Sequence, residues 1–261
     1  MDFPHANFAG QSILISGATS GIGRATALAF ARRGARLTLG GRDAARGENI
    51  RAACAALGVE AQFLLNDVKD VAAPEALVQA ALSRFGRLDV AFNNAGAQEK
   101  RALLAEQSLE VYEHILDTNL RAVFLALQAQ VKAMLAQPKR EGAQGTGVII
   151  NTASVSGVRN SNTGLSVYSA SKAALLSLTR SAALEYGPQG IRINAVSPGR
   201  VKTPMMLASG IADMKAVADG LPIRRMGEPE EVAEAVVWLA SDAAGYMVGH
   251  NLCLDGGFLA S

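Results

Sequence analysis

A short apolar run, Ser12-Ile13-Leu14-Ile15, passes into Ser16-Gly17-Ala18-Thr19-Ser20-Gly21-Ile22-Gly23 and then into a helical pattern from Ile22 to Arg33. Few features constrain a fold more. The glycines let the backbone turn tightly and approach a ligand closely. A helix that starts at such a turn aims its free N–H groups and the positive end of its dipole at that ligand, and pyrophosphate is the usual occupant. The spacing is Gly-x-x-x-Gly-x-Gly, not Gly-x-Gly-x-x-Gly. A glycine-rich turn used only for close packing is the plainer reading. Its position after the first strand and before a helix weighs against that.

The rest of the chain repeats the alternation. Strands are expected at Arg36–Leu39, Ala61–Leu65, Leu88–Phe92, Gly147–Asn151, Ile191–Val196 and Asn251–Leu254. Helices are expected at Ala44–Leu57, Pro74–Phe85, Leu109–Ala136, around Tyr168, and at Glu230–Ala240. Apolar strands separated by amphipathic helices imply a parallel sheet covered on both faces. Right-handed crossovers then give a doubly wound sheet that binds ligands at the carboxyl ends of its strands. The expected fold is α/β: a single-domain Rossmann fold with a parallel sheet of about seven strands and helices on both faces. No repeat or low-complexity linker divides residues 1–261.

Composition narrows the function classes. The chain is 49% hydrophobic and carries a net charge of only +2, with no basic cluster along any segment. Nucleic acid and membranes are therefore not expected partners. Cys54 and Cys253 lie far apart and suggest a reducing, cytoplasmic setting without a disulfide framework. Met1 to Gly10 lacks the pattern of a signal peptide, and no apolar run is long enough to span a bilayer. His5, His114 and His250 show no ligand spacing, so no catalytic metal is expected.

Tyr168 and Lys172 stand four residues apart in Val167-Tyr168-Ser169-Ala170-Ser171-Lys172. On a helix they lie one turn apart on one face. A neighbouring ammonium favours phenolate, so the phenol is expected to titrate below its ordinary ~10 and to trade protons near neutral pH. A solvated tyrosine and lysine is the ordinary alternative, and context must decide.

That context is an ordered set: Gly17 to Gly23, Asp67, Asn93-Asn94-Ala95-Gly96, Asn119, Ser154, Tyr168 with Lys172, and Pro198-Gly199 with Thr203. In this order it resembles the short-chain dehydrogenase/reductase family, in its short single-domain branch. The resemblance implies a nicotinamide dinucleotide and reversible alcohol/carbonyl chemistry. It implies a catalytic group of Asn119, Ser154, Tyr168 and Lys172. Ser154 would orient the substrate oxygen, with Ser156 as its competitor. Tyr168 would be the general acid or base. Lys172 would lower the phenol's pKa and bind the nicotinamide ribose, and Asn119 would bend its helix and hold a proton-relay water. The implied cofactor contacts are Gly17, Thr19, Ser20, Gly21, Ile22, Gly23, Asp67, Val68, Asn94, Ala95, Gly96, Tyr168, Lys172, Pro198, Gly199, Val201 and Thr203. Asn93 reads as structural, and Asp67 reads equally well as a cap for a helix near Asp70. Enoyl reductases of the wider family have a longer Tyr–Lys interval. Extended sugar epimerases have a different glycine pattern, and halohydrin dehalogenases lose the lysine.

Gly40-Gly41-Arg42 ends the second strand, with Gly41 where the family usually carries an acid. An acid there would hold the ribose hydroxyls and repel a phosphate. Arg42 suits a phosphate and can stack on adenine, so NADP(H) is expected and NAD(H) is the second choice. Asp43 next to it is the counterweight, since it could neutralise Arg42.

The segment near 203–226 is expected to cover the substrate. Met205, Met206, Leu207, Ile211, Met214, Leu221 and Met226 suggest an adaptable wall for a small, largely apolar carbonyl or alcohol. Gln98, Val155 and Arg159 are candidates for its border. Arg224 and Arg225 read as solvated, with attraction of an acidic substrate as the alternative. The tail around Asp255-Gly256-Gly257-Phe258 resembles family members that pack as homotetramers. A non-catalytic NADP(H) sensor or scaffold is the remaining alternative, because fold does not dictate function.

Overall fold

The computed structural model describes residues 7–160 and 163–261. His5 and the first six residues of the Met1–Gly10 stretch lie outside the described residues. Seven strands form one sheet in the order β3-β2-β1-β4-β5-β6-β7. They are β1 (Ser12–Ser16), β2 (Arg36–Gly41), β3 (Ala61–Leu65), β4 (Val90–Asn93), β5 (Gly147–Thr152), β6 (Ile191–Pro198) and β7 (Asn251–Leu254). Every neighbouring pair is parallel. The sheet therefore needs helices on both faces, as the apolar strands required.

One face is covered by α1 (Gly21–Ala31), α2 (Ala44–Ala55) and α9 (Pro229–Ala240), which bury Phe30, Ile50 and Val236 against Ile13, Ile15 and Leu37. The other face carries α3 (Ala73–Phe85), α5 (Ala122–Ala136) and α6 (Ser166–Tyr186), packed through Leu77, Leu127 and Leu175 onto Leu14, Ala91 and Ile149. A fully buried leucine or isoleucine contributes roughly 1.5–3 kcal/mol of burial free energy. These two layers therefore fix the strand ends rigidly. The described residues form three further α-helices, α4 (Leu109–Leu116), α7 (Pro204–Leu207) and α8 (Met214–Asp219), of which α7 borders the cleft through Pro204, Met205 and Met206.

Several expected boundaries move by a residue or two, and two of the differences have a clear physical cause. The fourth strand begins at Val90 instead of Leu88, because Asp89 turns its carboxylate to the Ser12 N–H (2.9 Å) and to Arg87. The expected helix from Leu109 to Ala136 is broken into α4 and α5 by a π-helical turn at Asp117–Arg121. The extra residue in such a turn throws Asn119 inward, where it is completely buried. Order reverses between β1 and β4, so the carboxyl ends of these strands open a crevice.

Candidate active site

A cleft of about 640 Å³ lies along those strand ends. Its floor at the first crossover is the glycine turn. Gly17 adopts φ +66°, and a Cβ there would stand 2.8 Å from the Ala95 Cα. A Cβ on Gly23 would stand 2.2 Å from the Gly17 carbonyl oxygen and 2.6 Å from the Asn94 amide nitrogen. Gly23 itself does not line the cleft; it lets α1 sit tightly behind the turn. Asn94 braces the same turn by donating to the Gly17 carbonyl (3.1 Å), while its own N–H reaches the Ser16 hydroxyl (3.1 Å). Asn93 is buried and donates to Gln130 (3.0 Å) and Asn151 (2.9 Å), which is the structural role expected of it.

The other anticipated cofactor positions converge on the cleft. Thr19, Ser20, Gly21 and Ile22 line one end, with Arg42, Asp67 and Val68 beside them. Ala95, Gly96, Pro198, Gly199, Val201 and Thr203 line the other. Asp67 does not cap α3, which starts later; its carboxylate accepts the Lys69 N–H (3.1 Å) in a local turn. Asp43 is committed elsewhere than Arg42. It caps α2 through the Arg46 N–H (3.0 Å) and pairs with the Arg46 side chain at 3.1 Å. Asn66 was not anticipated. It lines the cleft with its amide donating to the Ala73 carbonyl (2.8 Å), and its buried Oδ1 has no hydrogen-bond partner. An unsatisfied acceptor and a glycine cradle at a helix start both fit a dinucleotide.

The chemical end of the cleft is built from β5 and α6. β5 stops at Thr152, and Ser154 follows it in extended conformation, 6% exposed. Its hydroxyl accepts the Ser156 N–H (3.1 Å) and hydrogen-bonds the Tyr168 phenol. Ser154 is thus a serine that meets the phenol. Lys172 is buried one turn further along α6 and donates to the Thr152 carbonyl (2.7 Å). Its Nζ lies 5.8 Å from the centre of the Tyr168 ring. Asn119 stands behind the cleft. Its side chain accepts the Ala97 N–H (2.8 Å) and donates to the Ala97 carbonyl (2.8 Å) and the Ser171 hydroxyl (3.0 Å).

The electrostatics differ from the sequence expectation. Burial pushes the Tyr168 phenol above its ordinary value. The Ser154 hydrogen bond pulls it back, the Glu99 charge pushes it up, and the Arg200 charge lowers it. The expected depression by Lys172 is absent, because the ammonium turns to Thr152 and is itself starved of solvent. Burial draws Lys172 down to about 8. The physical reason is general: desolvation disfavours the charged form of both groups. Glu99 is another residue that spacing could not reveal. It is 5% exposed, and both its oxygens accept the Tyr168 N–H (3.0 and 3.1 Å).

The segment expected to cover the substrate contributes less to the cleft than anticipated. Met205 and Met206 line the cleft, with Gln98 and Val155 opposite. Leu221 and Met226 are buried in packing, and Leu207 is exposed. Arg225 pairs with Glu231 (2.7 Å) and Arg224 donates to the Asp219 carbonyl; neither lines the cleft. Arg159 lies over the Phe258 ring at 4.5 Å. Among the described residues, no helix is long and apolar enough to cross a membrane, and no cluster of three His, Cys, Asp or Glu could hold a metal.

A parallel sheet with a glycine-rich phosphate cradle at its switch point defines a dinucleotide-binding protein. A family model described as enoyl-(acyl carrier protein) reductase matches residues 17–259. The chain is 41% identical to a cis-4-hydroxycyclohexanecarboxylate dehydrogenase of Sinomonas cyclohexanicum, covering 97% of this chain and 98% of that protein. It is 39% identical to a 2,5-dichloro-2,5-cyclohexadiene-1,4-diol dehydrogenase of Sphingobium indicum, covering 98% and 99%. The crystal structure of a levodione reductase superposes with a TM-score of 0.90 at 37% identity, covering 98% of this chain and 100% of that one. The chain belongs to the short-chain dehydrogenase/reductase family. It is an oxidoreductase of alcohols and carbonyl compounds that uses a nicotinamide cofactor.

Proposed function

We propose that this chain interconverts a secondary alcohol and its ketone on a six-membered carbocycle, with NADP(H) as the preferred cofactor and Tyr168 as the general acid or base. The hydrogen bond between Ser154 and the Tyr168 phenol, at the chemical end of the cleft, carries this reading. The ring preference is supported by two relatives named for cyclohexane-type substrates and by the apolar side chains of Met205 and Met206.

The bound nicotinamide supplies or accepts the hydride. Everything else falls to the chain. Ser154 holds the substrate oxygen and Tyr168 gives it a proton in reduction. The burial that raises the phenol's pKa keeps that proton in place at neutral pH. In oxidation the phenolate takes the alcohol proton, which calls for higher pH. Lys172, at about 8, can pass its own proton on and would hold the nicotinamide ribose. The side chain of Asn119 is fully engaged, so its part in the relay falls to the main-chain carbonyl of the π-turn it occupies. Arg42 reads the ribose phosphate, helped by the capture of Asp43 in the α2 cap.

The test is a panel of cyclohexanones and cyclohexanols assayed with NADPH and NADPH-free NADH. Ketone-dependent NADPH oxidation, faster than with NADH, supports the reading. Tight NADPH binding without turnover of any ketone would instead favour a sensor. A second reading comes from the description of the matching family model: reduction of an enoyl thioester. The four-residue Tyr–Lys interval speaks against it, and an enoyl thioester in the same panel separates the two.

We further propose a homotetramer in a cytoplasmic setting. The exposed apolar side chains Leu104, Leu109, Tyr112 and Phe124, on and around α4 and α5, support a subunit contact.

A further inference from the structure

Phe258 belongs to the segment after β7, yet it meets a residue of the cleft. The connection is short. β7 pairs with β6, and the Gly199 N–H donates to the Leu254 carbonyl (2.9 Å). Gly199 lines the cleft, and a Cβ there would stand 2.8 Å from the Asp255 Cα, so the two segments touch along their backbones. Asp255 then fixes the turn. Its two carboxylate oxygens accept the N–H groups of Gly257 and Leu259 (each 2.9 Å), the residues on either side of Phe258.

The Phe258 ring meets two cations. The Arg159 guanidinium lies over it at 4.5 Å and the Arg200 guanidinium at 5.6 Å. The ring quadrupole attracts both, and stacking suits a planar guanidinium. Arg159 also donates to the Ser261 carbonyl, so it holds the segment at two points. Arg200 follows Gly199 and lines the cleft with Tyr168. Its charge and that of the phenolate favour each other. Two other charged groups face the phenol: Lys172, with Nζ 5.8 Å from the ring centre, and Glu99, whose charge acts in the opposite sense. Arg101 in turn repels Arg200. A charge acts on the phenol only while it stays close, and a long arginine side chain loses that place readily unless something orders it.

We propose that Phe258 is a positioning residue of the reaction: its ring, steadied by Arg159, holds the Arg200 guanidinium at the chemical end of the cleft beside Tyr168. The segment after β7 thereby becomes part of the apparatus that moves the proton. This rests on Tyr168 as the general acid or base.

The pH profile of alcohol oxidation, with the fastest cyclohexanol of the panel above, tests the proposal. Phe258→Leu keeps an apolar side chain and loses the π face. Arg200 then leaves the phenol, phenolate is less favoured, and the profile is expected to move to higher pH. At pH 8 kcat is expected to fall about 3-fold or more. Phe258→Tyr keeps the face and is expected to return most of the way to wild type. Arg200→Met is expected to move the profile in the same direction, and Phe258→Leu added to it to move nothing further, because the ring acts through that guanidinium. Binding of NADPH, followed by fluorescence, verifies that each variant is folded. If Phe258→Leu does not fold, Arg159→Met takes its place and is expected to give a smaller shift of the same sign, again absent in the Arg200→Met background. A profile that superposes on wild type overturns the proposal. So does a shift of equal size with and without the Arg200 guanidinium, which would make Phe258 a packing residue. Both outcomes leave the oxidoreductase reading standing, whereas turnover retained by Tyr168→Phe overturns that reading itself.

Discussion

Both carboxylate oxygens of Glu99 accept the main-chain N–H of Tyr168, so a side chain from the loop after β4 caps the first turn of the helix that carries the Tyr168 phenol. The same carboxylate pushes the phenol's pKa upward through its charge. Glu99→Gln keeps an acceptor for that N–H and removes the charge. The pH profile of alcohol oxidation should then move to lower pH. Glu99→Ala should also lose the cap, at about 1 kcal/mol of stability. A Glu99→Gln profile that superposes on wild type, or moves to higher pH, contradicts this link.

Lys172 makes the stability of the cofactor-free protein depend on pH. Its folded pKa is about 8, against an ordinary 10.5. Between those values the unfolded chain binds more protons than the folded one, so stability rises with pH across that window. The full span corresponds to roughly 3 kcal/mol at most. Tyr168, with a raised pKa, acts with the opposite sign, but only above its ordinary 10. Urea unfolding at pH 7.5 and pH 9.5 should show a gain for wild type that Lys172→Met lacks. Equal pH dependence in the two proteins would count against a buried, depressed lysine.

Arg42 is exposed at the cleft, and Asp43 is held by Arg46. Arg42→Leu should lower kcat/KM with NADPH by about 10- to 100-fold and leave NADH within a few-fold. Steady-state kinetics with both cofactors check this. Equal losses on both would assign Arg42 to packing or to adenine, not to a phosphate.

Gly23 faces the Gly17 carbonyl with no room for a methyl group. Gly23→Ala must displace the phosphate turn. Cofactor affinity should fall at least about 10-fold, and stability by about 1–3 kcal/mol. Calorimetric titration and thermal unfolding measure the two effects, and wild-type affinity in a folded variant would contradict the cradle.

Much of this protein is legible locally. The seven strands and the glycine turn announce themselves because each rests on a short run of residues with one conformational preference. Asn119 was readable as a disturbance, since an asparagine in mid-helix needs a reason, and the π-turn supplies it. The site's electrostatics were not readable. The Tyr168–Lys172 spacing announces a cation near a phenol, but it says nothing of the burial that raises one pKa and lowers the other. The partner of Lys172 is Thr152, on another element, and the positions of Glu99 and Arg200 around Tyr168 arise only when the loops after β4 and β6 meet α6. Leu221 and Met226 carried the chemistry expected of a substrate wall and instead fill the interior, because apolarity alone does not distinguish a pocket from a core.

The most direct measurement is the turnover of Tyr168→Phe, which removes one oxygen atom and keeps the ring. Ketone reduction should fall by about 100- to 10,000-fold in kcat, while the dissociation constant for NADPH stays within about 3-fold of wild type. Near-normal kcat in that variant would show that the proton comes from another group, and the account of this site would be wrong.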